Sequence, residues 1–299
     1  HHPDPTEDHN LIDLIKEVKS SDYDFGVAYD GDADRVVAVD ENGEIIRSDI
    51  LMAIFLPEVI KNPGDAIVYD VKCSQALEDM IKHYGGEPIM WKTGHSLIKD
   101  KMKELKVNFA GEMSGHIFFA DDYFGFDDAL YASIRLIDLL SNNSKKLSEL
   151  IDELPQMFNT PEIRIKCDDK IKFSVIDKIV KKQKLLKKNI VDLDGVRVSN
   201  NEGWWLIRAS NTQPVIVCRF EANTNDKLLE ISNSYLFYFL DRLYNSRTRR
   251  GVLSRIQHDY VLHIRNQVGV VRKSIDSFFK RIIEEYGQKD RILRLYKPM

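Results

Sequence analysis

Three aspartates at alternate positions, Asp30, Asp32 and Asp34, stand in the run Asp30-Gly31-Asp32-Ala33-Asp34-Arg35. With small residues between them their carboxylates can converge on one point, Gly31 letting the backbone turn tightly. An oxygen-only donor set suits a hard divalent cation such as magnesium. An EF-hand calcium loop also opens on alternate aspartates, and Glu41 would supply its final acid. That reading fails because Arg35 replaces the glycine the loop needs at its centre, and because a β-branched strand run follows instead of a helix. A solvated acidic turn remains the alternative.

Three further groups carry chemistry. Gly111-Glu112-Met113-Ser114-Gly115-His116 places a carboxylate, a hydroxyl and an imidazole on a glycine-flexed loop, the equipment for gripping sugar hydroxyls and moving a proton. A polar loop entering a strand is the plainer reading. Arg208-Ala209-Ser210-Asn211-Thr212-Gln213-Pro214, with Arg219 on the next strand, offers a guanidinium fork, hydroxyls, an amide and loop N–H groups to a phosphate. A hairpin turn with two unrelated arginines is the alternative there. Lys72 and the segment Lys92-Thr93-Gly94-His95-Ser96 each follow a predicted strand, where ligands bind in open α/β sheets, although a solvated loop is the ordinary fate of such residues.

The elements that must position these groups fall into modules. A polar helix at residues 11–19 precedes strand-like runs at 25–29 and 35–39, with the acidic turn between them. A helix beginning near Asp49 stops before Asn62-Pro63-Gly64. Strand 66–71, helix 75–84, strand 88–92 and helix 96–105 then alternate, which implies a parallel sheet covered by helices. Asp127 is expected to open a long helix. Beyond Pro155 and Pro161 the order becomes strand 162–166, helix 171–183, several strands over 191–221 and a helix at 226–244, an α+β arrangement. From Ile256 to Tyr286 apolar residues recur at three- and four-residue spacing, the mark of amphipathic helix.

With 299 residues, 43% of them hydrophobic, the chain can bury a real core, and its length suggests two or three domains. No apolar run is long enough for a membrane span, the first residues lack a secretory layout, and the cytoplasm is the expected compartment. Cys73, Cys167 and Cys218 are far apart and show neither paired metal-ligand spacing nor a disulfide framework. Residues 244–299 carry thirteen basic and five acidic side chains, a basic tail on an acidic body.

Taken together, His1-His2-Pro3-Asp4-Pro5, residues 30–35, Asp70-Val71-Lys72-Cys73-Ser74, residues 91–96, residues 111–119, Phe124-Gly125-Phe126-Asp127-Asp128 and residues 203–214 make this chain resemble the α-D-phosphohexomutase family, in its bacterial phosphomannomutase/phosphoglucomutase branch. The resemblance implies α/β modules with mixed sheets, then an α+β C-terminal domain of TATA-binding-protein-like type and a helical tail. Residues 1–44 would end the family's second domain with the metal loop, 45–156 would be the sugar-binding third domain and 157–243 the phosphate-binding fourth, leaving 244–299 unassigned. It implies phosphoryl exchange between a phosphoserine and a hexose phosphate, with Mg2+ and a hexose 1,6-bisphosphate as activator and intermediate. On this resemblance Asp30, Asp32 and Asp34 are the metal ligands, and Arg35 and His116 are catalytic. Lys72, His95, Glu112 and Ser114 contact the sugar, while Arg208, Ser210, Asn211, Thr212 and Arg219 hold the second phosphate.

Two departures accompany the likeness. Ala33 stands where glycine is expected, and alanine fits there if its φ is negative. No segment resembles the family's phosphorylated serine loop, so that nucleophile and most of two domains are expected outside this chain, and turnover by the chain alone is expected to be negligible. Two alternatives follow: one half of a split enzyme completed by a separate polypeptide, or a non-catalytic remnant that binds phosphosugar or metal. A nucleic-acid partner for the basic tail is not expected, since apolar residues at helical spacing point to a packed helix.

Overall fold

The computed structural model describes residues 3–186 and 189–243; the expectations for His1, His2 and the tail lie outside them. A 3-10 turn at Asp8–Leu11 leads into α1 (Ile12–Ser20). An antiparallel meander follows: β1 (Phe25–Tyr29), β2 (Val36–Asp40) and β3 (Ile45–Ile46). Tyr29 pairs with Val36, so the acidic residues 30–35 are the tip of the β1–β2 hairpin. Every residue of β2 is buried, because α1 covers one side and helices of the next module cover the other.

Gly31 is not the residue that turns this tip. Its φ is not positive, whereas Ala33 sits in the left-handed region at φ +58°. The condition under which alanine fits easily is therefore not met, and the tip carries the strain of a Cβ close to its own carbonyl.

The second module is α2 (Ser48–Val59), β4 (Ala66–Asp70), α3 (Gln75–His83), β5 (Glu87–Trp91), α4 (His95–Leu105), β6 (Phe109–Gly111), β7 (Ile117–Phe119), α5 (Ala129–Ser141) and α6 (Leu147–Asp152). Its sheet runs β5-β4-β6-β7. β4 is parallel to both neighbours, as strand–helix alternation requires, but β6 and β7 are joined by the short loop 112–116 and pair antiparallel, so the sheet is mixed. Aromatic residues Phe55, Phe109 and Phe119 meet edge-on and tilted in the core beneath it. Asp127 does not open α5. Asp128 caps it, accepting a hydrogen bond from the Tyr131 amide at 2.9 Å, which leaves the Asp127 carboxylate for other work.

The third module contains β8 (Phe158–Asn159), β9 (Ile163–Lys166), α7 (Asp169–Leu185), β10 (Ile190–Val191), β11 (Val196–Asn200), β12 (Gly203–Ala209), β13 (Val215–Ala222) and α8 (Asn225–Leu243). The sheet is antiparallel, ordered β10-β11-β12-β13-β8, with β9 also paired to β13. Alternation decides its two faces. Trp205, Ile207, Cys218 and Phe220 pack under α7 and α8, while Arg197, Trp204, Arg219 and Glu221 turn toward the second module. No helix among the described residues is long and apolar enough to cross a membrane.

Candidate active site

At the hairpin tip Asp30 is buried and organises the loop. Its Oδ1 accepts hydrogen bonds from the amides of Asp34 and Arg35, both at 3.1 Å, and its Oδ2 from Arg35 Nε at 2.6 Å. Burial opposes ionisation of Asp30, but the Arg35 guanidinium and amide outweigh it and hold the carboxyl below its usual range. Asp34 goes the other way. Burial, with Asp30, Asp32 and Asp127 crowding it, pushes its pKa up to about 6. Carboxylate oxygens of Asp30, Asp32 and Asp34 all lie within 4.8 Å of one another. An oxygen-only set whose members repel one another fits a hard divalent cation such as Mg2+.

The loop 111–116 is pressed against this tip. Val36 donates its amide to the Gly115 carbonyl at 3.0 Å. Gly115 has φ +116°, and a Cβ added there would stand 2.8 Å from the Arg35 Cβ, so only glycine permits the contact. His116 is thereby brought to Asp34, with 3.7 Å between Nδ1 and Oδ1. Burial, reinforced by His95 and Arg35, drives its pKa down to about 4, which leaves a neutral imidazole at pH 7. Glu112, on the same loop, accepts the Gly94 amide at 2.5 Å. Burial and the neighbouring Asp70 raise it to about 7, against the pull of Lys72. Ser114 is half-buried between Glu112 and His116.

Sequence reasoning placed Asp127 at a helix start and in a motif but gave it no role in the site. Its Oδ2 lies 2.8 Å from His95 Nδ1 and 3.2 Å from His116 Nδ1, and its Oδ1 receives Lys99 Nζ at 2.8 Å. Burial works against the charge, but the hydrogen bonds from Lys99 and His95 keep it ionised and low. The signal was present in the doubled Asp127-Asp128 at a helix start, where only one aspartate can cap.

On the second phosphate's side the expected residues separate. Arg208 donates from Nε to Asp194 Oδ2 at 2.8 Å, and the same oxygen accepts the Thr93 amide at 3.1 Å, so Arg208 stands beside the segment that carries His95. Ser210 Oγ accepts the amides of Thr212 and Gln213 at 3.3 and 3.1 Å, folding the loop, and Asn211 and Thr212 are exposed at its rim. Arg219 is not brought to this loop. It is buried, donates to the Lys72 carbonyl and lies 3.6 Å from Asp49, a consequence of its place in β13 opposite Leu206, well below the loop. Lys72 is buried too, its ammonium 3.0 Å from Glu162 and 3.7 Å from Asp70. Burial alone would push Glu162 up, yet Lys72 holds it down to about 2.

Comparison with known proteins places the chain in one lineage. Profiles described as phosphoglucomutase/phosphomannomutase alpha/beta/alpha domain II, alpha/beta/alpha domain III and C-terminal domain match residues 1–43, 47–158 and 162–234. The chain is 47% identical over 236 residues to the phosphomannomutase/phosphoglucomutase of Pseudomonas aeruginosa, a match covering 79% of this chain and 51% of that protein. The crystal structure of a phosphoglucomutase/phosphomannomutase family protein from Burkholderia thailandensis superposes with a TM-score of 0.73 at 43% identity, over 79% of this chain and 50% of that one. A more distant structure, Aspergillus fumigatus N-acetylphosphoglucosamine mutase in complex with GlcNAc-6P and magnesium, shares the fold at 13% identity and a TM-score of 0.50, over 70% of this chain and 47% of that one. The chain thus spans about half the length of the curated relatives it matches. With three consecutive family profiles matching most of its length, it belongs to the phosphoglucomutase/phosphomannomutase family.

Proposed function

We propose that this chain supplies the metal loop and the sugar-phosphate contacts of a phosphohexomutase that interconverts hexose 1-phosphate and hexose 6-phosphate. The observation that carries the reading is the close approach of Gly115 to Arg35, which sets the oxygen-only loop against the loop bearing Glu112, Ser114 and His116. Phosphoryl transfer needs charge neutralisation and positioning more than covalent work by the protein. Asp30, Asp32 and Asp34 would hold Mg2+, which when bound supplies positive charge beside a phosphoryl group. Arg35, oriented by Asp30, adds its own charge there. Neutral His116 and near-half-protonated Glu112 exchange protons with sugar hydroxyls that Ser114 helps to grip. Lys72 and half-exposed His95 border the sugar, and Arg208 with the loop of Ser210, Asn211 and Thr212 anchors the non-reacting phosphate. Arg219 braces Lys72 from behind rather than touching the anion.

On this reading residues 1–44, 45–156 and 157–243 are successive units of the enzyme, hexose 1,6-bisphosphate is its intermediate, and the phosphorylated serine lies outside the described residues. Calorimetric titration of the 299-residue chain with mannose 1-phosphate and glucose 1-phosphate in Mg2+ tests it. Binding that Arg208→Ala weakens by about tenfold or more supports the reading, and no binding by the unaltered chain sinks it. A coupled mutase assay with a trace of hexose 1,6-bisphosphate then measures turnover, which should rise when a polypeptide carrying the phosphoserine domain is added.

A further inference from the structure

We propose that Asp34, His95, His116 and Asp127 form a second cation site, one for a divalent transition metal such as Zn2+, set beside the oxygen-only loop and sharing Asp34 with it. One ligand atom from each of the four residues falls in a cluster whose members all lie within 4.8 Å of one another. Tetrahedral zinc with ligands at about 2.0–2.1 Å has ligand–ligand edges of about 3.3 Å. Three edges are 2.8 Å from His95 Nδ1 to Asp127 Oδ2, 3.2 Å from His116 Nδ1 to the same oxygen, and 3.7 Å from His116 Nδ1 to Asp34 Oδ1. These three bracket the required value and run in a chain through all four residues.

The donor chemistry separates this cluster from its neighbour. Two imidazoles and two carboxylates suit a borderline-soft ion, whereas magnesium prefers an octahedron of oxygens. His116 Nδ1 is buried and makes no hydrogen bond among the described residues, although two carboxylates face it. The imidazoles are stacked, centroids 5.2 Å apart and planes 22° from parallel, and both Nδ1 atoms turn to Asp127 Oδ2. Lys99 engages Asp127 through Oδ1, orienting the carboxylate and leaving Oδ2 toward the histidines. His95 has 47% of its side chain exposed, which provides the entry path. Occupancy would take Asp34 and His116 away from any role with Mg2+ or substrate, so the site is antagonistic to the oxygen-only loop. It stands independently of the mutase reading, because it rests on these four side chains alone.

The test is calorimetric titration of Zn2+ into the chelator-stripped 299-residue chain, with the visible spectrum of bound Co2+ as a second readout of nitrogen ligation. Each variant is first checked for an unaltered thermal midpoint in the absence of metal. His95 is half-exposed, so His95→Ala leaves the core untouched. The expected result is that His95→Ala weakens Zn2+ at least tenfold and abolishes the Co2+ bands of a nitrogen-bearing four-coordinate ion, while Asp32→Asn changes Zn2+ affinity by less than that. Any other result, above all zinc binding that survives His95→Ala but is lost in Asp32→Asn, overturns the site and leaves zinc as a mere occupant of the aspartate loop.

Discussion

At the scale of single residues the two apposed loops set two acids and a histidine at different protonation states within a short span. Glu112 is the informative one. Burial and Asp70 raise its pKa from 4.5 to about 7 in the folded chain. A carboxyl so raised binds its proton more tightly when folded, so the folded state holds more protons than the unfolded one between those two values. The stability it contributes is full below pH 4.5 and is lost as pH rises through about 7, on the order of 3 kcal/mol. Replacing it with glutamine removes the titration while keeping the shape. Urea unfolding as a function of pH should show the unaltered chain losing stability between pH 5 and pH 8 relative to Glu112→Gln. Parallel profiles for the two proteins would show that Glu112 is ionised throughout. Three neighbours set the state of Glu112: the buried Asp70 at the end of β4, the ammonium of Lys72 just beyond it, and the amide of Gly94 before α4.

The elements show what a linear reading reaches and where it stops. Strands and helices at 25–29, 66–71, 75–84 and 96–105 are legible because hydrophobic period, glycine breaks and caps are local properties, and the structure departs from them by a residue or two at the ends. A strand after residue 116 was legible, but its antiparallel pairing with Phe109–Gly111 was not, because that pairing depends on the geometry of the loop between them. Candidate ligands at Asp30, Asp32 and Asp34 were visible in their spacing, whereas Asp127 acquires its role only when α4 and the β6–β7 loop converge on it. Arg219 misled for the complementary reason. Alternation assigns it a face of β13 but does not say that this face meets the end of β4. The hairpin tip gave the third kind of error, a backbone angle. Ala33 in the left-handed region costs about 1–2 kcal/mol, and glycine would relieve that while adding about 0.5–1 kcal/mol of unfolded-chain entropy. Ala33→Gly should therefore stabilise the protein by roughly 0.5–1 kcal/mol, read as an increased urea midpoint with unchanged slope. A lowered midpoint would mean that the tip prefers another conformation in solution.

For the whole molecule, the question is what joins the phosphate-binding module to the one that carries the sugar loop. The junction is built around Trp204, fully buried and packed on Val71 and Leu206. The Arg197 guanidinium lies 3.8 Å over its ring and donates to the carbonyls of Val71 and Cys73 at 2.9 and 2.8 Å. Its indole N–H donates to Glu221 Oε1 at 2.7 Å, and that oxygen also accepts the Gln75 amide at 2.7 Å, in the first turn of α3. Lys72 with Glu162, and Arg219 with Asp49, add two buried ion pairs across the same boundary. Buried pairs largely offset their own desolvation, so they specify the docking geometry while the aromatic burial supplies most of the net attraction. Removing the indole would open a cavity and take one partner each from Arg197 and Glu221, two groups already short of partners at Nε and Oε2. Trp204→Ala should cost about 3–5 kcal/mol and, because each module keeps its own core, should divide one calorimetric unfolding transition into two. Binding of a hexose phosphate to that variant should weaken as well, since Arg208 and the loop bearing His95 meet only when the modules are docked through Asp194. A single transition at a lowered midpoint, with phosphate affinity unchanged, would show that the ion pairs hold the modules together without the tryptophan.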